Sequence, residues 1–249
     1  MAKYSPIGPI KILEQLHYKG LLGNYLLFLA HDVLENMRDY CDLVTELQTE
    51  YANDLFIIMD NGTIERGSPV GCHELLEAAN LVEANVVVGP DIVGDYLGTK
   101  KLMMAQGPDI QQDFPIMMIP QGQNWRELFE CVDWMHSFFP AEHRYWGVPR
   151  WVTNKLHSRD QLIYDINCHN GGSARIHLLG MSNCLADDIA CSKMDNVIGI
   201  DSANPLVKGH RNYLMTLGGH IERGDYWECT ELNDTMIRNV EWVRNVVSG

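Results

Sequence analysis

The chain has 249 residues, 46% of them hydrophobic, which is enough apolar material for one large buried core. Its formal net charge of −14 argues against binding nucleic acid through general surface charge, because such binding draws on clustered Lys and Arg. No apolar run approaches the ~20 residues of a membrane span, and the first residues lack a signal-peptide core. We therefore expect one domain over residues 1–249, without a membrane partner, in the cytoplasm or in a host cytoplasm if the protein is viral.

The cysteines and histidines give no sign of a metal site. Seven cysteines are scattered along the chain, and no two of them form a Cys-x-x-Cys pair. Neither a disulfide framework nor a zinc ribbon is indicated, so we expect reduced thiols, no structural metal and no cofactor. Likewise, His169, His177, His210 and His220 have no partner spacing that indicates a catalytic role.

Short apolar runs recur about every 30 residues with helical patterns between them, as in repeated β-α units. Seven predicted strands cover 25–30, 55–59, 85–89, 114–119, 145–149, 174–180 and 197–201. An eighth is harder to locate, and 213–217 is the best candidate. Helical patterns cover 33–51, 125–138 and about 230–247.

Near-continuous apolar strands separated by helices are typical of parallel strands that are buried on both faces. Seven or eight such strands in this length favour a single (β/α)8 barrel of the TIM type. A doubly wound open sheet is the alternative. No Gly-x-Gly-x-x-Gly follows the first predicted strand, which argues against the dinucleotide-binding version of that sheet.

Polar residues or a glycine follow several predicted strands: Asp60, Asp91, Gln121, Gly147 and Asp201. In a barrel these positions converge on one mouth. Carboxylates without a histidine cluster point away from a metal hydrolase, although carboxylates and water could hold Mg²⁺. Alternatively, a carboxylate, an amide side chain and a backbone N–H could recognise a guanine-like base while another carboxylate attacks a sugar carbon.

Simpler structural interpretations compete with these site assignments. Asp201 could cap the helix that follows its strand, and Asn124 could cap the helix at 125–138. The segment Asp60-Asn61-Gly62 is also a good turn sequence.

Two basic segments stand out in this acidic chain. One contains Arg150 and Lys155, and the other contains Lys208 and Arg211. Both follow predicted strand ends, which makes these four residues candidates for nucleic-acid contacts. A solvated surface is the alternative interpretation.

Five segments between about residues 55 and 211 carry a recognisable order of motifs: Met59-Asp60-Asn61-Gly62, Ala84 to Asp91, Ile119-Pro120-Gln121-Gly122, Tyr145-Trp146-Gly147-Val148 and Ile200 to Pro205. In that order they resemble the Asp-Ser-Gly-Gly, Ala-Asp-Ile-Val-Met-Ala-Phe-Asp, Val-Gln-Gly, Gly-Gly-Leu and Phe-Asp-Cys-Val-x-Pro motifs of the tRNA-guanine transglycosylase family. Enzymes of that family exchange guanine for a 7-deazaguanine without breaking the polynucleotide backbone.

The resemblance implies a role for each matched position. Asp201 would be the nucleophile that forms a covalent nucleotide intermediate, and Asp60 the general acid and base. The incoming and departing bases would be bound by Asp91, by Gln121 with Gly122, and by backbone amides at Gly147 and Val148.

The differences from the family pattern bear on which nucleic acid is the substrate. The tRNA enzymes carry a Cys-x-Cys-x-x-Cys and His zinc subdomain before the terminal helix, whereas the segment 205–230 is short and holds only Cys229. The chain is therefore most similar to the compact, zinc-less phage and bacterial branch that inserts preQ0-type 7-deazaguanines into DNA. The family's Arg after Pro-Thr is missing, and Lys208 or Arg211 could replace its contacts.

We accordingly expect DNA and a 7-deazaguanine base as partners. The same exchange on tRNA is the alternative, and a non-catalytic nucleic-acid-binding subunit is a further one. A homodimer or a partner protein could supply the positive charge that the chain lacks.

Overall fold

The computed structural model describes residues 1–139, 144–216 and 224–248. Eight parallel strands form one sheet. They are β1 Lys3–Pro6, β2 Tyr25–Leu29, β3 Phe56–Asp60, β4 Val86–Val88, β5 Ile116–Met118, β6 Arg144–Pro149, β7 Ile176–Leu179 and β8 Val197–Ser202. Consecutive strands pair with each other from β2 to β8, and β8 also pairs with β1. The predicted (β/α)8 barrel is confirmed.

A side chain bridges the seam between β1 and β2, where the backbone ladder ends. The Leu27 N–H donates to Oγ of Ser5 at 2.8 Å. On its other side, β1 is in register with β8, so that Ser5 lies opposite Asp201. The barrel is thus joined through one side-chain hydrogen bond and seven ladders of parallel strands.

Helices cover the outside of the barrel. They are α1 Ile10–Tyr18, α2 Ala30–Glu35, α3 Met37–Tyr51, α4 Thr63–Arg66, α5 Cys72–Leu81, α6 Tyr96–Asp113, α7 Trp125–Phe138, α8 Trp151–Leu156, α9 Arg159–His169, α10 Leu185–Ser192, α11 Asn204–His210 and α12 Asp234–Ser248, with short 3₁₀ turns at Ala52–Asp54 and Tyr226–Glu228. Within the described ranges, none of these helices has both the length and the apolar character needed to cross a membrane.

Helix α7 illustrates how the sequence pattern becomes packing. Its apolar stripe, spaced at helical intervals, is fully buried against the sheet: Leu128, Cys131, Val132 and Met135. Asn124 caps the helix by accepting a hydrogen bond from the Glu127 amide at 3.1 Å. Both the helix bounds and this cap were predicted, and both are confirmed.

The predicted eighth strand at 213–217 is wrong. The Tyr213 amide donates to the Lys208 carbonyl at 2.8 Å, so this segment continues the turn that ends α11. Residues 213–216 are not in a strand, and Leu217 lies outside the described residues. The missing strand is β1, whose four residues contain a lysine, a serine and a proline and give no apolar run.

Two helix predictions need correction at their ends. The pattern at 33–51 is two helices, because Asn36 has φ −126° and its side chain donates to the Asp32 carbonyl at the end of α2. The terminal helix begins at Asp234 instead of residue 230. There the Asn233 side chain accepts a hydrogen bond from the Met236 amide at 2.9 Å, which caps the first turn.

Candidate active site

A pocket of about 330 Å³ opens at the carboxyl ends of the strands. Its volume is at the lower end of the range for small-molecule sites, which suits a small heterocycle. Polar residues from several different strand ends line it, among them Asp60, Asn61, Asp91, Gln121, Arg150 and Asp201. The three carboxylates and the amide that the sequence placed at strand ends therefore converge in one pocket.

Asp201, in β8, has one oxygen fixed by hydrogen bonds. Its Oδ1 accepts from Nε2 of His177 at 2.9 Å and from the Gly180 amide at 3.0 Å. Its Oδ2 has no hydrogen-bond partner among the described residues. The carboxylate is thus oriented through one oxygen, and the other is left for a ligand in the pocket.

Asp201 does not cap the helix that follows it. The first amide of α11, from Asn204, donates instead to Oγ of Ser202 at 3.0 Å. The hydrogen bonds of Asp201 lead back to β7 and to the glycine after it. The capping alternative considered for Asp201 is therefore wrong.

Asp60, the last residue of β3, lies in a different electrostatic environment. Burial raises the pKa of the Asp60 carboxyl well above its usual range, and the negative charges of Glu65, Asp201 and Asp91 raise it further. A hydrogen bond from the Asn61 amide opposes this shift of the pKa. A carboxyl group with a raised pKa keeps its proton to higher pH than an ordinary one, which is the property that a general acid needs.

The residues after Asp60 form a turn as well as part of the pocket. Gly62 has φ +71°, a left-handed conformation that glycine adopts without strain. Asn61 Oδ1 accepts hydrogen bonds from the Thr63 amide at 2.9 Å and from its hydroxyl at 2.7 Å. The segment therefore forms the predicted turn, and Asp60 and Asn61 also line the pocket.

Asp91 and Gln121 are tied into a buried network. Oδ1 of Asp91 accepts from Asn61 at 3.2 Å and from Thr63 at 3.3 Å, and Oδ2 accepts from Nε2 of Gln121. Burial raises the pKa of Asp91, whereas these hydrogen bonds lower it. Oε1 of Gln121 accepts from the Gly94 amide and from Nε1 of Trp151, both at 2.9 Å.

Three residues that were predicted to bind the base do not line the pocket, namely Gly122, Gly147 and Val148. A Cβ at Gly122 would lie 2.7 Å from Cβ of Glu127, so this glycine lets its loop pack against α7. Gly147 and Val148 are inside β6, opposite His177 and Leu178. The expectation that Gly147 follows the strand end is wrong, because pairing of β6 with β7 continues to Pro149.

The four basic residues divide into two pairs. Arg150 lines the pocket, and the exposed Lys155 lies on α8 with Nζ 6.0 Å from the Trp151 ring centroid. On α11, Lys208 is 9% exposed and burial lowers its pKa. Arg211, which follows that helix, forms an ion pair with Asp225 at 3.3 Å. Arg150 and Lys155 are therefore the pair next to the pocket.

Sequence analysis assigns no role to His177, yet its imidazole is hydrogen-bonded to Asp201. It is fully buried, and its Nδ1 lies 2.8 Å from the hydroxyl of Tyr25. A histidine inside an otherwise apolar strand was the available signal. Of the other histidines considered, His169 and His210 form surface pairs with Asp133 and Asp225, and His220 lies outside the described residues.

Within residues 1–139, 144–216 and 224–248, no group of three or more His, Cys, Asp and Glu side chains has the arrangement of a metal site. The Mg²⁺ alternative for the strand-end carboxylates therefore gains no support from those residues. Comparison of the chain with protein-family models and with curated protein sequences found no match.

Proposed function

We propose that the chain is a guanine transglycosylase that exchanges guanine in DNA for a 7-deazaguanine of the preQ0 type. The observation that carries the proposal is that two carboxyl groups with different surroundings, Asp201 and Asp60, line one small pocket. Asp201 presents an oxygen without a described partner, and burial holds the pKa of Asp60 well above its usual range. A nucleophile and a protonated acid are the two groups that base exchange at a sugar carbon requires.

The chemistry proceeds in two displacements. Oδ2 of Asp201 forms a bond to the anomeric carbon as the bond to the guanine nitrogen breaks, and Asp60 gives its proton to that nitrogen. The incoming base then loses its N–H proton to the Asp60 carboxylate. Its nitrogen attacks the anomeric carbon, and the electron pair of the ester bond returns to Asp201.

Recognition of the base falls to Asp91 and Gln121, and the polymer contacts fall to Arg150 and Lys155. Arg150 is in the pocket wall and Lys155 is exposed on the adjacent helix, where both could contact phosphates. The target nucleotide has to leave the stack, at a cost of a few kcal/mol, to reach a pocket at the mouth of a barrel. Lys208 and Arg211 are less suited to this role because one is largely buried and the other is ion-paired.

DNA is preferred to tRNA because residues 205–230 resemble the compact branch of the transglycosylase family, which lacks the zinc element of the tRNA enzymes. The test is an exchange assay with isotope-labelled guanine or 7-deazaguanine and with duplex DNA, single-stranded DNA and unmodified tRNA in parallel. We expect label in DNA, with a loss of about 10³-fold or more in Asp201→Asn. The matched control is Asp42→Asn, since Asp42 is exposed on α3.

Label in tRNA alone would show that tRNA, and not DNA, is the substrate.

A second candidate function is that of a non-catalytic nucleic-acid-binding subunit. It is favoured by one observation, namely that both polar atoms of Gln121 are already engaged inside the protein. Label in none of the three polymers, from a protein that still binds DNA, would support that candidate instead.

A further inference from the structure

Three buried side chains from different strands form a hydrogen-bonded series that ends at Asp201. The hydroxyl of Tyr25, in β2, lies 2.8 Å from Nδ1 of His177, in β7. Nε2 of the same imidazole lies 2.9 Å from Oδ1 of Asp201, in β8. Tyr25 and Asp201 are 4% and 5% exposed, and His177 is fully buried.

The hydrogen bonds fix the tautomer of His177. Among the described residues, Nδ1 of His177 is the hydrogen-bonding partner of the Tyr25 hydroxyl. A carboxylate oxygen only accepts hydrogen bonds, so Nε2, which faces Asp201, carries the ring proton. Nδ1 is then the accepting nitrogen, and the Tyr25 hydroxyl donates a hydrogen bond to it.

The barrel interior makes room for this series. His177 is in register with Gly147 on one side and with Gly199 on the other. A Cβ at Gly199 would lie 2.2 Å from Cε1 of Tyr25. Gly199 thus leaves the volume that the Tyr25 ring fills. The hydrogen bonds of Tyr25 and His177 offset the cost of burying their polar groups.

We propose that His177 is a positioning residue for the nucleophile, and that Tyr25 fixes the tautomer in which the imidazole can donate to Asp201. This inference rests on the proposed function. It assigns a polar role to two residues that could otherwise be ordinary core side chains.

The hydrogen-bonded series from Tyr25 to Asp201 should accelerate the second displacement more than the first. An N–H bond to a carboxylate is stronger than one to an ester carbonyl, so the Nε2–H bond strengthens as Asp201 regains its charge. In that step the carbon–Oδ2 bond breaks, its electron pair returns to the carboxylate, and the incoming base takes the anomeric carbon. Loss of the imidazole donor should therefore slow release of the covalent intermediate more than its formation.

The test compares His177→Leu, which removes the donor, with His177→Gln, whose amide can still donate to Asp201. We expect His177→Leu to lower the exchange rate about 10- to 100-fold and to accumulate a denaturation-resistant protein–DNA adduct. His177→Gln should recover most of the rate, and Tyr25→Phe should lose about 3- to 10-fold. Equal losses in the Leu and Gln variants, with both folded, would overturn the proposal.

A second measurement does not depend on activity. Nitrogen-15 NMR of imidazole-labelled protein should give one protonated and one unprotonated ring nitrogen for His177, with the proton on Nε2, and Tyr25→Phe should change that signal. A proton on Nδ1 in the unaltered protein would overturn the proposal. If the NMR result is as expected but no polymer is labelled, the proposed function fails while the tautomer assignment stands.

Discussion

The side-chain amide of Gln121 donates a hydrogen bond to Oδ2 of Asp91, which joins two strand ends inside the pocket wall. The two residues are 1% and 5% exposed, and each is also bonded to other groups of the protein. This part of the pocket wall is therefore held in place by hydrogen bonds within the protein. We expect Asp91 and Gln121 to contribute to the stability of the fold as well as to the proposed binding of a base.

Gln121→Leu should destabilise the fold and weaken base binding together. It removes a donor from a buried carboxylate and leaves the Trp151 N–H without its acceptor, at a cost of about 1–3 kcal/mol for each group left unsatisfied. Chemical denaturation and the KM for the base measure the two effects. Gln123→Leu is the matched control, because Gln123 is exposed. Equal stability of the two variants would contradict this account.

Asp60→Asn should stabilise the protein increasingly as the pH rises. The folded-state pKa of Asp60 is raised above its ordinary value of 3.8, so the stability it contributes is full below that value and is lost as the pH rises through the folded-state pKa. Within this window the loss reaches about 1.4 kcal/mol per pH unit. The amide variant does not titrate. Thermal melting of both proteins from acidic to alkaline pH measures the difference in their stability. A difference that does not change with pH would contradict the prediction.

Gly199→Ala should destabilise the barrel through the ring of Tyr25. The added Cβ would lie 2.2 Å from Cε1 and 2.4 Å from Cζ of that ring, which is stacked on Phe56 at 5.4 Å and cannot easily move. Overpacking of this kind costs about 1–3 kcal/mol, or roughly 2–4 °C in Tm per kcal/mol. Gly71→Ala is the control, since a Cβ there meets nothing nearer than 3.5 Å. A Tm equal to that of the control would exclude the clash.

Arg159→Leu should be the most damaging of these changes. Arg159 and Asp188 are both fully buried, with Nη2 3.8 Å from Oδ1, and Nη2 also donates to the Gly180 carbonyl. Removing one member of a buried pair costs about 3–5 kcal/mol, because the other charge is left unpaired. The double variant Arg159→Leu with Asp188→Leu should recover part of the loss in denaturant unfolding. No recovery would mean that the Gly180 contact dominates.

The parts of the molecule that the sequence predicts are those whose signal is local. Seven strands are predictable because each is an apolar run. Asp60, Asp91, Gln121 and Asp201 are predictable because each lies at the end of such a run or within two residues of it. Strand β1 has no such run and is defined by pairing with β8, nearly the whole chain away. His177 and Tyr25 are 152 positions apart, so their relation to Asp201 follows from closure of the barrel and not from any spacing.

The position of β1 also has a consequence for biosynthesis. Its ladder partner, β8, ends at Ser202, and the Ser248 hydroxyl donates to the Ala2 carbonyl at 3.1 Å. During translation the first strand therefore waits until β8 has left the ribosome, and contacts this distant in sequence make folding slow. Ile7 and Asp201, from the two sides of that junction, both line the pocket. The nascent protein can therefore complete this pocket only after Asp201 and the rest of β8 have been synthesised.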